Sequence, residues 1–170
     1  EHGVAALSLR DVARRAGVSH AAPAHHFGTK SGLLTALAAD AFDRFADALA
    51  AAKNFEDVGL AYIRFAAANP DVFELMFRPE VLEQDNPAFM TASARAYQVL
   101  TDRAAEAAAN ASMKIEAEAV AVTAWSVAHG FATLWLHGNF GNQPGDDPTE
   151  KARVALRTSL FMLGPSALGL

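Results

Sequence analysis

Leu7-Ser-Leu-Arg-Asp-Val-Ala-Arg-Arg-Ala-Gly-Val-Ser-His-Ala-Ala-Pro-Ala-His-His-Phe-Gly-Thr-Lys-Ser-Gly-Leu-Leu34 divides into three helical pieces with two tight breaks between them. In the first piece Leu9, Val12, Ala13 and Ala16 recur at i, i+3, i+4, i+7, the period of a helix with one apolar face, and Ser8 stands where an N-cap belongs. Gly17 can take the left-handed conformation that ends such a helix at least cost. Ser19 is then expected to cap a second helix that stops at Gly28, and Thr29 a third. With Ser19 as cap, Pro23 sits at the first N–H of the intrahelical ladder, a milder position than mid-helix, where proline costs about 3 kcal/mol. Two helices joined through a turn holding one Gly form a helix-turn-helix, whose second helix enters the DNA major groove.

On that pattern His20, Ala21, Ala22 and His25 fall near the N-terminal part of the recognition helix, where base edges are met. Arg10, at the start of the preceding helix, can reach a base or a phosphate. Ser8, Ser19, His26 and Lys30 are placed to meet phosphates through hydroxyls, helix N-terminal groups and a cation. Arg14 and Arg15 read as ordinary solvated charges. His25 and His26 diverge by about 100° on a helix, and with His20 they lack the i, i+4 pairing of helix-borne zinc ligands, so no metal is expected.

The whole chain, 170 residues, has a formal net charge of −5, unevenly spread. Residues 1–30 carry four basic side chains against two acidic ones, whereas residues 54–170 carry eight against fourteen. A mildly basic head on an acidic body suits DNA contact through one small surface. The absence of cysteine excludes disulfides and thiolate metal sites and fits a reducing cytoplasm. Charge is expected to interrupt every eighteen-residue apolar stretch, so no membrane span is predicted, and no secretory signal segment is recognised. There is no Glu-x-x-His pair for a di-iron site, no glycine-rich phosphate loop and no nucleophile motif. Neither a catalytic residue nor a cofactor is therefore expected.

Beyond the head, Ala, Leu, Glu and Arg dominate and no alternating β-branched stretch suggests a sheet. Helices are predicted over 30–52, 56–68, 70–77, 87–109, 116–138 and 149–163. The breaks fall at Asn69-Pro70, Arg78-Pro79, Asn86-Pro87, around Asn110 and from Gly138 to Pro148, and no internal repeat is visible. The last helix carries two apolar stripes, Val154, Thr158, Phe161 and Met162 on one side and Ala152, Leu156, Leu160 and Leu163 on the other. Two stripes point to burial against the body and against a second surface, the alternative being a helix enclosed within one subunit. Phe73, Met76, Phe77, Phe89, Met90, Tyr97 and Trp125 form an aromatic and Met set that suits either core packing or a pocket for a small, largely apolar molecule. His129, one turn from Trp125, is a polar handle for such a pocket or a satisfied structural histidine.

Ala16-Gly17-Val18-Ser19, His26-Phe27, Lys30 and Leu33-Leu34, at this spacing, resemble the DNA-binding head of TetR-family transcriptional repressors over Ala5 to about Phe45. Trp125 with His129-Gly130, Trp135 with His137-Gly138, and the run Asn69-Pro70 to Phe73-Glu-Leu-Met76-Phe77 resemble a subgroup whose C-terminal domain carries a Trp, His, Gly signature. The resemblance implies an all-α fold, with a helix-turn-helix head (residues 1–45) and a helical regulatory and dimerisation domain (residues 46–170). It implies a homodimer whose last two helices form a four-helix bundle with their copies, through Phe131, Leu134, Trp135, Val154, Thr158, Phe161 and Met162. It further implies a cytoplasmic repressor that holds a pseudo-palindromic double-stranded operator until a small-molecule inducer releases it, with the helix from Lys30 as transmission element. The family motif also strengthens a DNA role for His26 and Lys30. The chain departs from the pattern at Ala24, where the family carries a DNA-contacting Tyr, and at Pro23 in place of Leu. Glu1-His2-Gly3 resembles the end of the family's first helix, most of which then falls outside the sequence. The alternative is a small-molecule-binding helical dimer with weakened or lost DNA binding.

Overall fold

The structure, a computed structural model, describes residues 8–111 and 114–160. Eight α-helices run through them: α1 (Leu9–Ala16), α2 (Ala22–Phe27), α3 (Lys30–Ala50), α4 (Phe55–Ala68), α5 (Pro70–Met76), α6 (Pro87–Ala109), α7 (Ala117–Leu136) and α8 (Thr149–Leu160). A single 3₁₀ turn, Pro79–Val81, joins α5 to α6, and no strand occurs among the described residues. The predicted body helices are all present, with ends shifted by one or two residues at most where both ends are described.

Local chemistry sets the boundaries. Thr29 caps α3 by accepting the Gly32 N–H at 2.8 Å, Asn54 caps α4 through the Asp57 N–H at 2.9 Å, and Asn86 caps α6 through Ala88 and Phe89. Pro70, Pro79 and Pro87 each open an element at a position where a missing N–H is harmless.

Packing then arranges these rods. α1 lies on α2 and α2 on α3, while α3 runs unbroken through residue 45 and packs along α6. α4 is the central element, touching α3, α6, α7 and α8. Its Leu60 and Ile63 are fully buried, as is Leu49 of α3, each stabilising the fold by about 1.5–3 kcal/mol. Gly59 lets α8 come close: a Cβ there would stand 2.6 Å from Leu156 Cδ2. Glu56, only 2% exposed, is gripped by Arg153 at 2.5 Å and Arg157 at 2.8 Å, so one buried carboxylate pins α8 to α4. Arg64 Nε adds a bond to Thr149 Oγ1 at 3.0 Å.

α7 corrects one expectation. Residues 119–145 contain no Asp, Glu, Lys or Arg, so charge does not interrupt every eighteen-residue stretch. By length and composition α7 could cross a membrane (mean hydropathy 1.4), yet it packs on α4, α6 and α8. Only 33% of its most apolar window is buried.

Candidate functional site

The head is held by backbone geometry more than by side-chain caps. Gly17 adopts φ +68° and its N–H reaches the Arg14 carbonyl, while the Val18 N–H returns to Ala13 at 3.1 Å. These bonds satisfy the last carbonyls of α1, as sequence reasoning expected of Gly17. Two expectations fail. Ser8 occupies the cap position of α1, but its side chain makes no cap hydrogen bond. Ser19 is not the cap of the recognition helix; its carbonyl accepts the Ala22 N–H in a turn, and Ala21 is the cap residue. The helix is therefore shorter, and Pro23 falls within its first turn, buried, where it removes no ladder bond.

This shorter helix leaves one face open. Arg10, Ser19, His20, Ala21, His25 and His26 are exposed, with Ser8, Ala22 and Lys30 half-buried. Ala24 is exposed as well. Arg14 pairs with Asp11 at 2.7 Å in full solvent, a contact worth little.

Directly behind the recognition helix, the start of α3 is fastened to the segment after α5. Thr29 Oγ1 donates to Glu83 Oε1 at 3.0 Å, and Ser31 Oγ donates to the Val81 carbonyl at 2.6 Å. The buried Thr35 hydroxyl donates to the Ser31 carbonyl and accepts the Glu83 N–H at 2.9 Å. Sequence reasoning missed this junction, since its partners lie about fifty residues apart.

The aromatic and Met set does not converge on one cavity. Phe73, Phe77 and His129 line a cleft of about 270 Å³ with Glu74, Arg78 and Thr133. Met76 and Phe89 are core, Phe89 packing edge-on against Phe42. Met90 is 54% exposed, and Tyr97 and Trp125 are partly exposed neighbours with ring centres 5.8 Å apart.

His129 faces two ways. Phe77 stands edge-on to its ring at 4.6 Å, and Tyr62 Oη lies 2.8 Å from its Nδ1. Trp125 Nε1 donates to the same Tyr62 oxygen at 3.3 Å. Burial pushes the Tyr62 phenol above its ordinary range and lowers the proton affinity of His129, so both are neutral near pH 7. Tyr62 was absent from the sequence-derived set because only its cross-helix partners mark it out.

A wider cleft, about 740 Å³, lies between α4, the end of α7 and the 138–149 loop, beside Arg64, His137, Asn142 and Asp147. Asn142 Nδ2 donates to the Trp135 carbonyl, while its Oδ1 is buried with no partner among the described residues.

Of the residues assigned to a subunit interface, Phe131 and Trp135 are buried within the chain, their rings stacked at 6.1 Å and closed by Phe140. Leu134 (43% exposed), Val154 (68%) and Thr158 face outward. Ala152 and Leu156 face inward, so the two stripes of the last helix separate as predicted over its described part. Phe161, Met162 and Leu163, together with the side chain of Leu160, lie outside the described residues.

Residues 55–158 match the family model described as tetracyclin repressor-like, C-terminal domain, and residues 1–37 match that of bacterial regulatory proteins, tetR family. A solved structure of a protein with unknown function from Rhodococcus sp. RHA1 superposes with TM-score 0.77 at 31% identity, over 94% of this chain and 86% of that one. The candidate regulatory protein SCO4313 gives 0.71 at 27% identity, over 95% and 87%. The TetR family transcriptional regulator PfmR from Thermus thermophilus shares the fold, with TM-score 0.65 at 20% identity over 95% and 90%. No curated protein matches the chain significantly.

Proposed function

Because the chain belongs to the TetR family of bacterial regulatory proteins, and is thereby a DNA-binding transcriptional regulator, we propose that it acts as a repressor released from its operator by a small, largely apolar molecule. The observation that carries this reading is the continuity between cleft and head. Phe77 and Arg78 line the 270 Å³ cleft, and the chain runs from them directly into Val81 and Glu83, which hold Thr29, Ser31 and Thr35 behind the recognition helix. A ligand that favours one position of this segment shifts the head with it; one indifferent to that position shifts nothing. The transmission element is thus the 77–83 segment acting on the start of α3, rather than α3 alone.

In this reading Arg10, His20, Ala21, Ala22 and His25 read base edges, and Ser8, Ser19, His26 and Lys30 position the head on phosphates. Phe73, Phe77 and His129 are the effector contacts. Residues 1–45 and 46–170 divide by role, not by a break in the chain, since α3 spans both. Dimerisation through the outward face of α7 and α8 would cover Val122, Leu134 and Val154, apolar side chains that a lone subunit leaves in water. Two recognition helices would then reach major grooves about 34–36 Å apart on a pseudo-palindromic site.

Fluorescence anisotropy of the protein on DNA from its own upstream region, across a salt series, tests the reading. Selective binding with a steep salt dependence, relieved by an apolar ligand, is expected. Binding no tighter than to random DNA by an intact dimer would overturn the operator role and favour a ligand-binding dimer.

A further inference from the structure

The geometry points to an effector that presents a hydrogen-bond acceptor, a carbonyl or carboxylate oxygen on a flat apolar body, to Nε2–H of His129. This rests on the reading of the 270 Å³ cleft as the effector site, and follows from which way three hydrogen bonds run. An indole N–H can only donate, so Trp125 Nε1 gives its proton to Tyr62 Oη. The single Tyr62 proton is then directed to its other neighbour, Nδ1 of His129 at 2.8 Å, which must be the unprotonated nitrogen. A neutral imidazole with a bare Nδ1 carries its proton on Nε2.

The opposite tautomer would aim two donors, Trp125 and Nδ1–H, at Tyr62 and leave the phenol proton without either neighbour, a costly arrangement for a group this buried. Nε2 has no protein partner among the described residues, while the His129 ring borders the cleft between Phe73 and Phe77. A flat apolar body can lie against the half-buried Phe77 and Leu136 that line the cleft, Phe73 being covered behind them. Discrimination comes from the chain of donors: a ligand that meets Nε2–H with its own donor leaves two protons opposed, and one without polar atoms leaves the N–H unanswered. Trp125 and Tyr62 are therefore positioning residues for specificity.

The test uses the full chain labelled with ¹⁵N-histidine and two probes of nearly one shape, 2-acetylnaphthalene and 2-ethylnaphthalene. Long-range ¹H–¹⁵N correlations on the free protein are expected to show the Nε2–H tautomer at His129. The acetyl probe should bind about fivefold tighter than the ethyl probe, the worth of one neutral hydrogen bond. Tyr62→Phe should lower that ratio, because the imidazole is then free to exchange tautomers and the ligand must select the Nε2–H form. The same ¹H–¹⁵N correlations should show the two tautomers mixed, which a purely structural role for Tyr62 would not produce. Should Tyr62→Phe fail to fold, Trp125→Phe tests the same chain, with the ratio falling as Tyr62 loses its obligate donor.

An Nδ1–H tautomer, or equal binding of the two probes, overturns the inference while leaving the cleft as a binding site. If neither probe binds, the effector-site reading falls and the inference with it.

Discussion

Between Ser8 and Thr29 only Ala13 and Pro23 are buried, and Arg10, His20, His25 and His26 stand in solvent. In the body, by contrast, Glu56 and Tyr62 are buried and each is bonded to residues on another helix. Within Ser8–Thr29 the turns are closed by backbone bonds at Gly17 and Gly28. In the body the polar side chains fix helix against helix. A surface that must read DNA gains from side chains with nothing else to hold. On the proposed reading, a body that carries a change from cleft to head would gain from bonds that lock rods together, because packed contacts switch between discrete arrangements and do not bend smoothly.

The largest contrast is expected at charged residues. Glu56→Ala leaves Arg153 and Arg157 converging on a pocket without a counter-charge, and should lower urea-derived stability by about 3 kcal/mol. Both arginines are partly exposed, which keeps the loss at the lower end of what breaking a buried pair does. Arg14→Ala, which removes the exposed Asp11 pair in the head, should change stability by no more than about 0.5 kcal/mol. Equal effects of the two would erase the distinction between the regions.

A sharper version concerns Gly59. Gly59→Ala drives a methyl into Leu156, which is 1% exposed and has little room to yield, and should destabilise by about 1–2 kcal/mol. In a Leu156→Ala background the clash is gone, and alanine's better helix propensity should make the same change stabilising by up to about 1 kcal/mol. A thermodynamic cycle of the four proteins reads this reversal directly. If Gly59→Ala costs the same in both backgrounds, the close approach of α8 is not what the glycine serves.

In the head the corresponding test reads DNA affinity. Lys30→Ala should weaken binding to all DNA sequences alike and lower the slope of log K against log salt by about 1. An unchanged slope removes Lys30 from the phosphate contacts. Ala24→Tyr should tighten DNA binding if the head docks as its resemblance implies, since it restores an aromatic at an exposed position of α2. No gain in affinity would argue that the recognition helix sits differently on its groove.

The contrast between the regions also explains what could be read in advance. Helix order, the two breaks of the head and the stripe Ala152/Leu156 were legible because each depends on residues within a turn or two of one another. The cap at Ser19 was misread for a local reason: a Ser followed by His20 and Ala21 gave no sign that a turn would intervene before Ala22. Phe131 and Trp135 were assigned to a subunit interface, yet the 138–148 loop folds Phe140 back over them. No helical periodicity shows where a loop will return. Tyr62 with His129, Glu56 with Arg153, and Thr29 with Glu83 lie 67, 97 and 54 residues apart. Such pairs exist only once the helices are packed, and they are what gives the body its chemistry.

The smallest expected effect is a pH dependence that the body should show through His129. Burial lowers the imidazole's proton affinity below its ordinary value of 6.5, so the unfolded chain binds more protons at this residue than the folded one when pH falls past 6.5. The stabilisation tied to a neutral His129 is therefore complete above 6.5 and declines as pH drops toward the folded value. Protonation of Nδ1 would also oblige Tyr62 Oη to face two donors, Trp125 and the imidazolium, in place of one. Melting curves between pH 7.5 and 5.5 should show wild type losing slightly more stability than His129→Gln, whose amide cannot titrate. Parallel curves for wild type and His129→Gln would mean that burial does not hold the imidazole in its neutral form. The neutral donor chain from Trp125 through Tyr62 to His129 would then add nothing to the stability of the body.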